Sequence, residues 1–270
     1  MSVSDHYEAG GPYAKVMAAL DAIAPDGGPV TVAQLTGFDD FHTAGRFATV
    51  RMGDLLAPSA ADTVLDAGSG IGGPARYLAD RFGCKVIGID LTPEFVQLGR
   101  ALNERTGLSD KVDLRVGDIT ATGLADGSVD HVWTQHVAMN IADREGLYRE
   151  IRRVMKPGGR FALFDVIDGG GGELLLPVPW ATEASHSHLV SREVLRGLLE
   201  GAGFSVEVWD DPTREMVDML RTMMAAGPGG APPLLNPSLF IDNAQEKMGN
   251  YFRCMEEGRT ALALAVCTAT

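Results

Sequence analysis

From residue 62 onward, short apolar runs alternate with longer stretches whose apolar positions recur every three or four residues, a pattern that predicts strand and helix in turn. Residues 63–66 form a short run centred on the apolar pair Val64 and Leu65, as expected of a strand buried on both faces. Helical spacing covers 74–82, and a second strand, 85–89, runs into Asp90. Thr92-Pro93-Glu94 reads as an N-cap with proline at the first helical position, after which Phe95, Leu98 and Leu102 share one face. Strands are predicted at 112–116 and, after the turn Asp126-Gly127, at 129–133. Leu147, Ile151, Val154 and Met155 form a helical stripe that Lys156-Pro157-Gly158-Gly159 should stop, leaving a fifth strand at 160–166.

The last third loses this rhythm. Four glycines at 169–172 precede the irregular LLLPVPW segment, a helix is predicted at 191–202 and a strand at 205–209. Met216, Met219, Leu220, Met223 and Met224 make another helical stripe. A proline- and glycine-rich loop at 227–237, a helix at 239–255 and a strand at 260–266 follow. The regular part predicts an α/β sheet with helices on both faces. Two pieces are expected to stand apart from it, residues 1–58 and the insert 211–258, and to cap the carboxyl ends of the strands. The expected division is a helical cap at 1–58, a core at 59–210, a helical lid at 211–258 and a final core strand at 259–270.

Composition narrows the partners. The net charge of −13 opposes attraction to phosphate backbones, which argues against nucleic acid. Cys84, Cys254 and Cys267 lie far apart, predicting free thiols and a reducing, cytoplasmic compartment. MSVSDHYEAGG has no basic start and apolar core of a signal peptide, and no apolar run is long enough to span a bilayer, so no membrane association is expected.

The chemistry is concentrated in VLDAGSGIGGPARYLA, residues 64–79. Gly68, Gly70 and Gly73 satisfy the GxGxxG of dinucleotide sites, while Gly68, Gly70 and Gly72 satisfy the GxGxG of loops that hold S-adenosylmethionine. Asp66, two residues before Gly68, would repel a pyrophosphate seated on this turn. It would attract an ammonium or a sulfonium. Asp90, 22 residues beyond Gly68, suits ribose hydroxyls in either case, and Asp118 offers an acceptor to an adenine amino group. Three acidic strand ends favour the cationic nucleoside. An NAD(P)-dependent oxidoreductase remains the alternative from another class.

VLDAGSGIGG, VIGIDLT, VDLRVGDIT, VDHVWTQH and VMKPGGRFAL, in this order, resemble the successive motifs of class I S-adenosylmethionine-dependent methyltransferases over about residues 63–166. WTQHVAMNIADREGLY and the late insert are similar to the branch with sarcosine/dimethylglycine and phosphoethanolamine N-methyltransferases and sugar or antibiotic O-methyltransferases. The resemblance implies a Rossmann-like seven-stranded, mostly parallel sheet with a small helical lid, S-adenosyl-L-methionine as cofactor, S-adenosyl-L-homocysteine as product and a small-molecule acceptor, in a monomer or homodimer. It places Gly68, Ser69 and Gly70 along the methionine and ribose portions, Asp90 on the ribose, and Leu91, Asp118 and Ile119 around the adenine. Gln135 and His136 come near the methionine end, and Asp66 either touches ligand or pins loop amides.

The resemblance implies that relatives in this branch often carry, where this chain has Asn140, a histidine that can serve as a base; asparagine cannot take a proton near neutral pH. His136 is then either a replacement base or a neutral lining histidine, and Asp165 matches an acidic position of some O-methyltransferases. His42 matches a segment packed over the methionine end, with Tyr7 and Tyr13 as further lid candidates. His186 and His188 lack a third ligand, so no metal is expected. Trp180 is either a stacking platform or a packing anchor. With Asn140 in place of the base, the expected acceptor is an amine nitrogen, with O- or C-methylation as the alternative.

Overall fold

The computed structural model describes residues 11–226 and 237–270. Its seven strands are β1 (Thr63–Ala67), β2 (Lys85–Asp90), β3 (Val112–Val116), β4 (Val129–Gln135), β5 (Met155–Asp168), β6 (Phe204–Asp210) and β7 (Thr260–Ala269). They form one sheet in the order β3-β2-β1-β4-β5-β7-β6. All neighbours are parallel except β7, which runs antiparallel to both β5 and β6. The order reverses between β1 and β4, so their carboxyl ends diverge to open a crevice, the usual ligand position in such sheets.

The helices are α1 (Pro12–Ile23), α2 (Thr36–Asp39), α3 (Arg46–Leu56), α4 (Gly73–Phe82), α5 (Pro93–Thr106), α6 (Arg144–Val154), α7 (Arg192–Gly201), α8 (Thr213–Ala226) and α9 (Ala244–Glu256). Strand alternation sorts the core into two layers. Along β5, Ala162, Phe164 and Val166 join Val64 and Trp133 in one apolar cluster, which α3 and α4 cover. Phe161, Leu163 and Ile167 join Leu65 and Val132 in the other, which α6 and α7 cover. Because both faces are buried, the strands read as unbroken apolar runs. Each fully buried Leu or Phe contributes about 1.5–3 kcal/mol. A third cluster sets Val16 and Leu20 of α1 and Phe240 and Ile241 against Phe95, Leu98 and Leu102 of α5.

Several boundaries differ from expectation, each for a local reason. β5 starts at Met155 instead of after the Lys-Pro-Gly-Gly stop, because Met155 is already extended and pairs with Val129 before the register shifts. The glycines are thus absorbed into the strand as a bulge, with Gly158 at φ +74°. The helix expected from 239 begins at Ala244, because Asn243 adopts φ +45° and interrupts it, leaving Pro237–Leu239 as a separate 3-10 turn. β4 continues to Gln135, which brings that residue to the strand tip. Residues 1–58 do not stand wholly apart from the sheet. Ala48, Met52 and Leu56 of α3, spaced i, i+4 and i+8, share a cluster with Val64 and Phe164. Residues 227–236 of the expected loop, and Tyr7, lie outside the described residues.

Candidate active site

The carboxyl ends of β1, β2 and β4 open into a cavity of about 590 Å³. Twelve of the candidate residues line it: Asp66, Gly68, Ser69, Gly70, Asp90, Leu91, Asp118, Ile119, Gln135, His136, Asn140 and His42.

Main-chain hydrogen bonds hold the glycine loop. The Gly68 and Ser69 amides donate to the Ile89 carbonyl at 2.8 and 3.1 Å, and the Gly70 amide donates to Asp90 Oδ2 at 2.7 Å. Asp90 Oδ1 accepts from the Thr92 amide at 2.9 Å, so one carboxylate fixes both the loop and the entry to α5. The glycines have separate reasons. Gly68 sits at φ +81°, and a Cβ there would meet Val137 at 2.4 Å. Gly73 faces the Asp39 carbonyl, which a Cβ would approach to 2.1 Å. The third glycine of GxGxxG therefore admits the N-terminal segment, not a phosphate. Above Gly70 the space is open.

Asp66 is buried, its Oδ2 has no hydrogen-bond partner, and the carboxyl group accepts from the Ala75 amide and feels the charge of Arg76. Burial, then the neighbouring Asp90 carboxylate, pushes its pKa up to about 8. Ser69 Oγ and Gln135 Nε2 are likewise buried without partners, while Gln135 Oε1 accepts from Trp133 Nε1 at 3.0 Å. Buried polar atoms left unpaired on a cavity wall are positions at which a ligand restores hydrogen bonds. Asp118 is exposed, its Oδ1 accepting from the Thr120 amide and hydroxyl. Ile119 is buried and Leu91 exposed, and both line the same cavity as the Asp118 carboxylate.

The opposite wall differs in kind. His136 follows β4 at φ +52°, and its ring packs on Phe164 with centroids 5.1 Å apart. Its Nδ1 accepts from the Thr43 amide at 3.4 Å, so in the neutral ring Nε2 carries the hydrogen, and that atom is buried without a partner. Burial, reinforced by His42, holds its pKa well below the ordinary value. His136 is a neutral donor at pH 7. His42 contacts Thr49 Oγ1 at 3.1 Å and Asp40 at 3.5 Å. Burial alone would raise the Asp40 pKa, but hydrogen bonds from His42 and Thr49 and the charge of Arg46 together lower it. Asn140 donates to the Trp180 and His186 carbonyls at 2.8 and 3.4 Å, tying down the loop before α7.

Asp165 does not line the cavity. It is buried under the turn Ala138–Asn140, bonded to backbone amides and facing Arg144 at 3.8 Å, and burial raises its pKa to about 6. Tyr13 lies away from the cavity, its amide donating to Glu94 at 3.1 Å. Trp180 lines the wall as a packing anchor, edge-on to Tyr251 with its Nε1 donating to Ser187 at 3.0 Å.

Further contributors were not singled out as site residues by the sequence, Leu220 having been marked only as part of a packed helical stripe. Arg76 of α4 is fully buried, with bonds to both Asp39 oxygens and the Ile71, Gly99 and Asn103 oxygens, so it clamps α2 to the glycine loop. Tyr251 of α9 bonds Thr43 at 2.8 Å, 208 residues away in sequence. Leu220, Phe240, Met248, Phe252 and Met255 close the apolar end.

Residues 65–163 match the family model described as a methyltransferase domain. Methyltransferase GfsG of Streptomyces halstedii is 33% identical over 135 residues, 50% of this chain and 49% of that one. Sarcosine/dimethylglycine N-methyltransferase of Halorhodospira halochloris is 35% identical over 123 residues, 45% of this chain and 44% of that one. This chain thus spans about half the length of these relatives or less. Among solved structures, geranyl diphosphate C-methyltransferase of Streptomyces coelicolor A3(2), in complex with Mg2+, geranyl diphosphate and S-adenosyl-L-homocysteine, superposes with a TM-score of 0.68 at 19% identity, covering 84% of this chain and 79% of that one. That likeness concerns the fold.

Proposed function

From the match of residues 65–163 to the methyltransferase-domain model, we propose that the chain binds S-adenosyl-L-methionine at the ends of β1–β3 and directs methyl transfer to a small-molecule acceptor in the adjoining chamber. The observation that carries this reading is the set of unpartnered buried atoms, Asp66 Oδ2, Ser69 Oγ and Gln135 Nε2, on a cavity wall that holds carboxylates and no cationic side chain among the described residues. Such a wall fits an ammonium-bearing nucleoside and repels a pyrophosphate. Asp66 would hold the amino-acid end together with Ser69 and Gln135, Asp90 the ribose hydroxyls, and Asp118, Leu91 and Ile119 the adenine.

The bound sulfonium supplies an electrophilic methyl group, so the chain's own task is to align the acceptor and exclude water. The residues of the acceptor wall support an amine nitrogen as the nucleophile. His136 Nδ1 is occupied and His42 is bonded to Thr49, while Asn140 anchors a loop and Asp165 lies outside the cavity. An amine presented as its free base needs no proton acceptor; an alcohol does.

Calorimetry with the purified chain tests the reading. S-adenosyl-L-homocysteine and S-adenosyl-L-methionine should bind and NAD+ and NADP+ should not; the reverse result would replace the proposal with an oxidoreductase.

A further inference from the structure

We propose that the acceptor half of the cavity selects a largely hydrocarbon molecule, uncharged or basic, that bears no phosphate, diphosphate or carboxylate group. The word acceptor rests on the function proposed above; the charge preference rests on the wall alone.

Among the described residues the lining contains six aspartates and neither lysine nor arginine. Residues 1–10 and 227–236 also contain neither. The two guanidiniums that touch lining residues face carboxylates: Arg46 lies 2.7 Å from Asp40 and 3.8 Å from Asp39, its Nη2 without a hydrogen-bond partner, and Arg76 lies 2.6 Å from Asp39. A helix N-terminus is the other common means of holding an anion. Helices α3, α4, α5 and α6 all start at the cavity, where Gly45, Pro74, Thr92 and Asp143 line it. Asp143 caps α6, its carboxylate accepting from the Gly146 amide at 2.8 Å, and the Asp90 carboxylate takes the Gly70 and Thr92 amides before α4 and α5; α3 starts at Gly45 without a side-chain cap.

The remaining surface at this end is supplied by Leu220, Phe240, Met248, Phe252, Met255 and Trp180. Most of its polar groups are directed at one another, Thr43 to Tyr251, Asn140 to the Trp180 carbonyl and Trp180 Nε1 to Ser187, and the unpartnered one, His136 Nε2, belongs to a neutral ring. An anion moved from water into this chamber would lose its hydration with no counter-charge to replace it. A hydrocarbon would gain from the same walls. The neighbour solved with geranyl diphosphate has the same fold, so the charge of the acceptor is a property of lining side chains and not of the sheet.

A matched series tests this. Geranylamine, geraniol and geranyl diphosphate share one hydrocarbon and differ only in head charge. Each is titrated against the full chain carrying the uncharged fluorescent probe N-phenyl-1-naphthylamine, with and without saturating S-adenosyl-L-homocysteine, and geranyl diphosphate also with Mg2+. Geraniol and geranylamine should displace the probe at concentrations lower by about tenfold or more than geranyl diphosphate. Equal or tighter displacement by geranyl diphosphate, with or without Mg2+, overturns the proposal. So does failure of all three to displace the probe or raise the melting temperature. Met248→Arg, at a partly exposed position of the wall, should narrow or reverse the ranking; an unchanged ranking would mean that the probe reports another surface, and overturns it too. If calorimetry finds no S-adenosyl-L-homocysteine binding while the ranking holds, the function proposed above fails and the charge selection stands.

Discussion

The two walls of the cavity are built by different physics. The wall at the ends of β1 and β2 is a main-chain structure, in which loop amides meet the Ile89 carbonyl and the Asp90 carboxylate at fixed distances. Few residue types satisfy it. The wall from α8, α9 and the N-terminal segment is a side-chain structure, where one apolar residue replaces another at small cost. The first wall is therefore constrained to hold one kind of ligand. The second is free to change partners, and among the described residues its cavity lining holds neither lysine nor arginine.

Four measurements break or sharpen that contrast. The largest effect should come where the walls are joined. Asp39→Asn leaves the fully buried Arg76 guanidinium without its carboxylate, and should cost about 3–5 kcal/mol of unfolding free energy in denaturant titration. A loss below about 1 kcal/mol would show the clamp to be incidental. Next is Gly68→Ala, where the new Cβ meets Val137 and the backbone sits in the left-handed region. It should cost about 1–3 kcal/mol and weaken S-adenosyl-L-homocysteine binding by about tenfold or more. An equally drastic substitution on the apolar wall, such as Leu220→Ala, should leave that binding nearly unchanged.

The third concerns pH. Asp66, raised to about 8 from an ordinary 3.8, holds a proton in the folded chain that the unfolded chain has released between those values. Its contribution to stability is therefore complete below the unfolded value and declines as pH rises through about 8. Asp66→Asn should flatten that decline in melting experiments. Binding of a cation beside Asp66 should expel the proton, so affinity for S-adenosyl-L-methionine should rise with pH below about 8, by at most about tenfold per pH unit, with proton release seen by calorimetry in buffers of different ionisation enthalpy. Absence of proton release would place the cationic end elsewhere. The smallest effect belongs to Tyr251→Phe, which removes the hydroxyl bonded to Thr43 and should cost about 1 kcal/mol without altering nucleoside binding.

The same division explains what could be read from the chain. Asp66, Asp90 and Asp118 were legible as positions at or next to the carboxyl ends of short strands, and Gly68 and Gly70 because a tight loop leaves little alternative. Tyr251 and Thr43 were not, because nothing in either neighbourhood announces a partner two hundred residues distant. Arg76 was hidden for another reason: an arginine in a helix is ordinarily solvated, and its burial depends on a carboxylate from a segment without periodic patterning. The methionine stripe marked α8 as packed, with Met216 buried, but could not show that Leu220 faces the cavity. His136 was found by position; its tautomer follows only from the Thr43 amide that the fold brings to it.

One feature of the sheet bears on how the chain reaches this state. β6 pairs only with β7, which is translated after it yet lies between β5 and β6. During synthesis Phe204–Asp210 has no neighbour until Thr260–Ala269 emerges from the ribosome, and α7 has only a partial surface to settle on. The five strands upstream can assemble as they appear, but the remaining edge is deferred, exposed in the interval to any passing strand that can imitate β7.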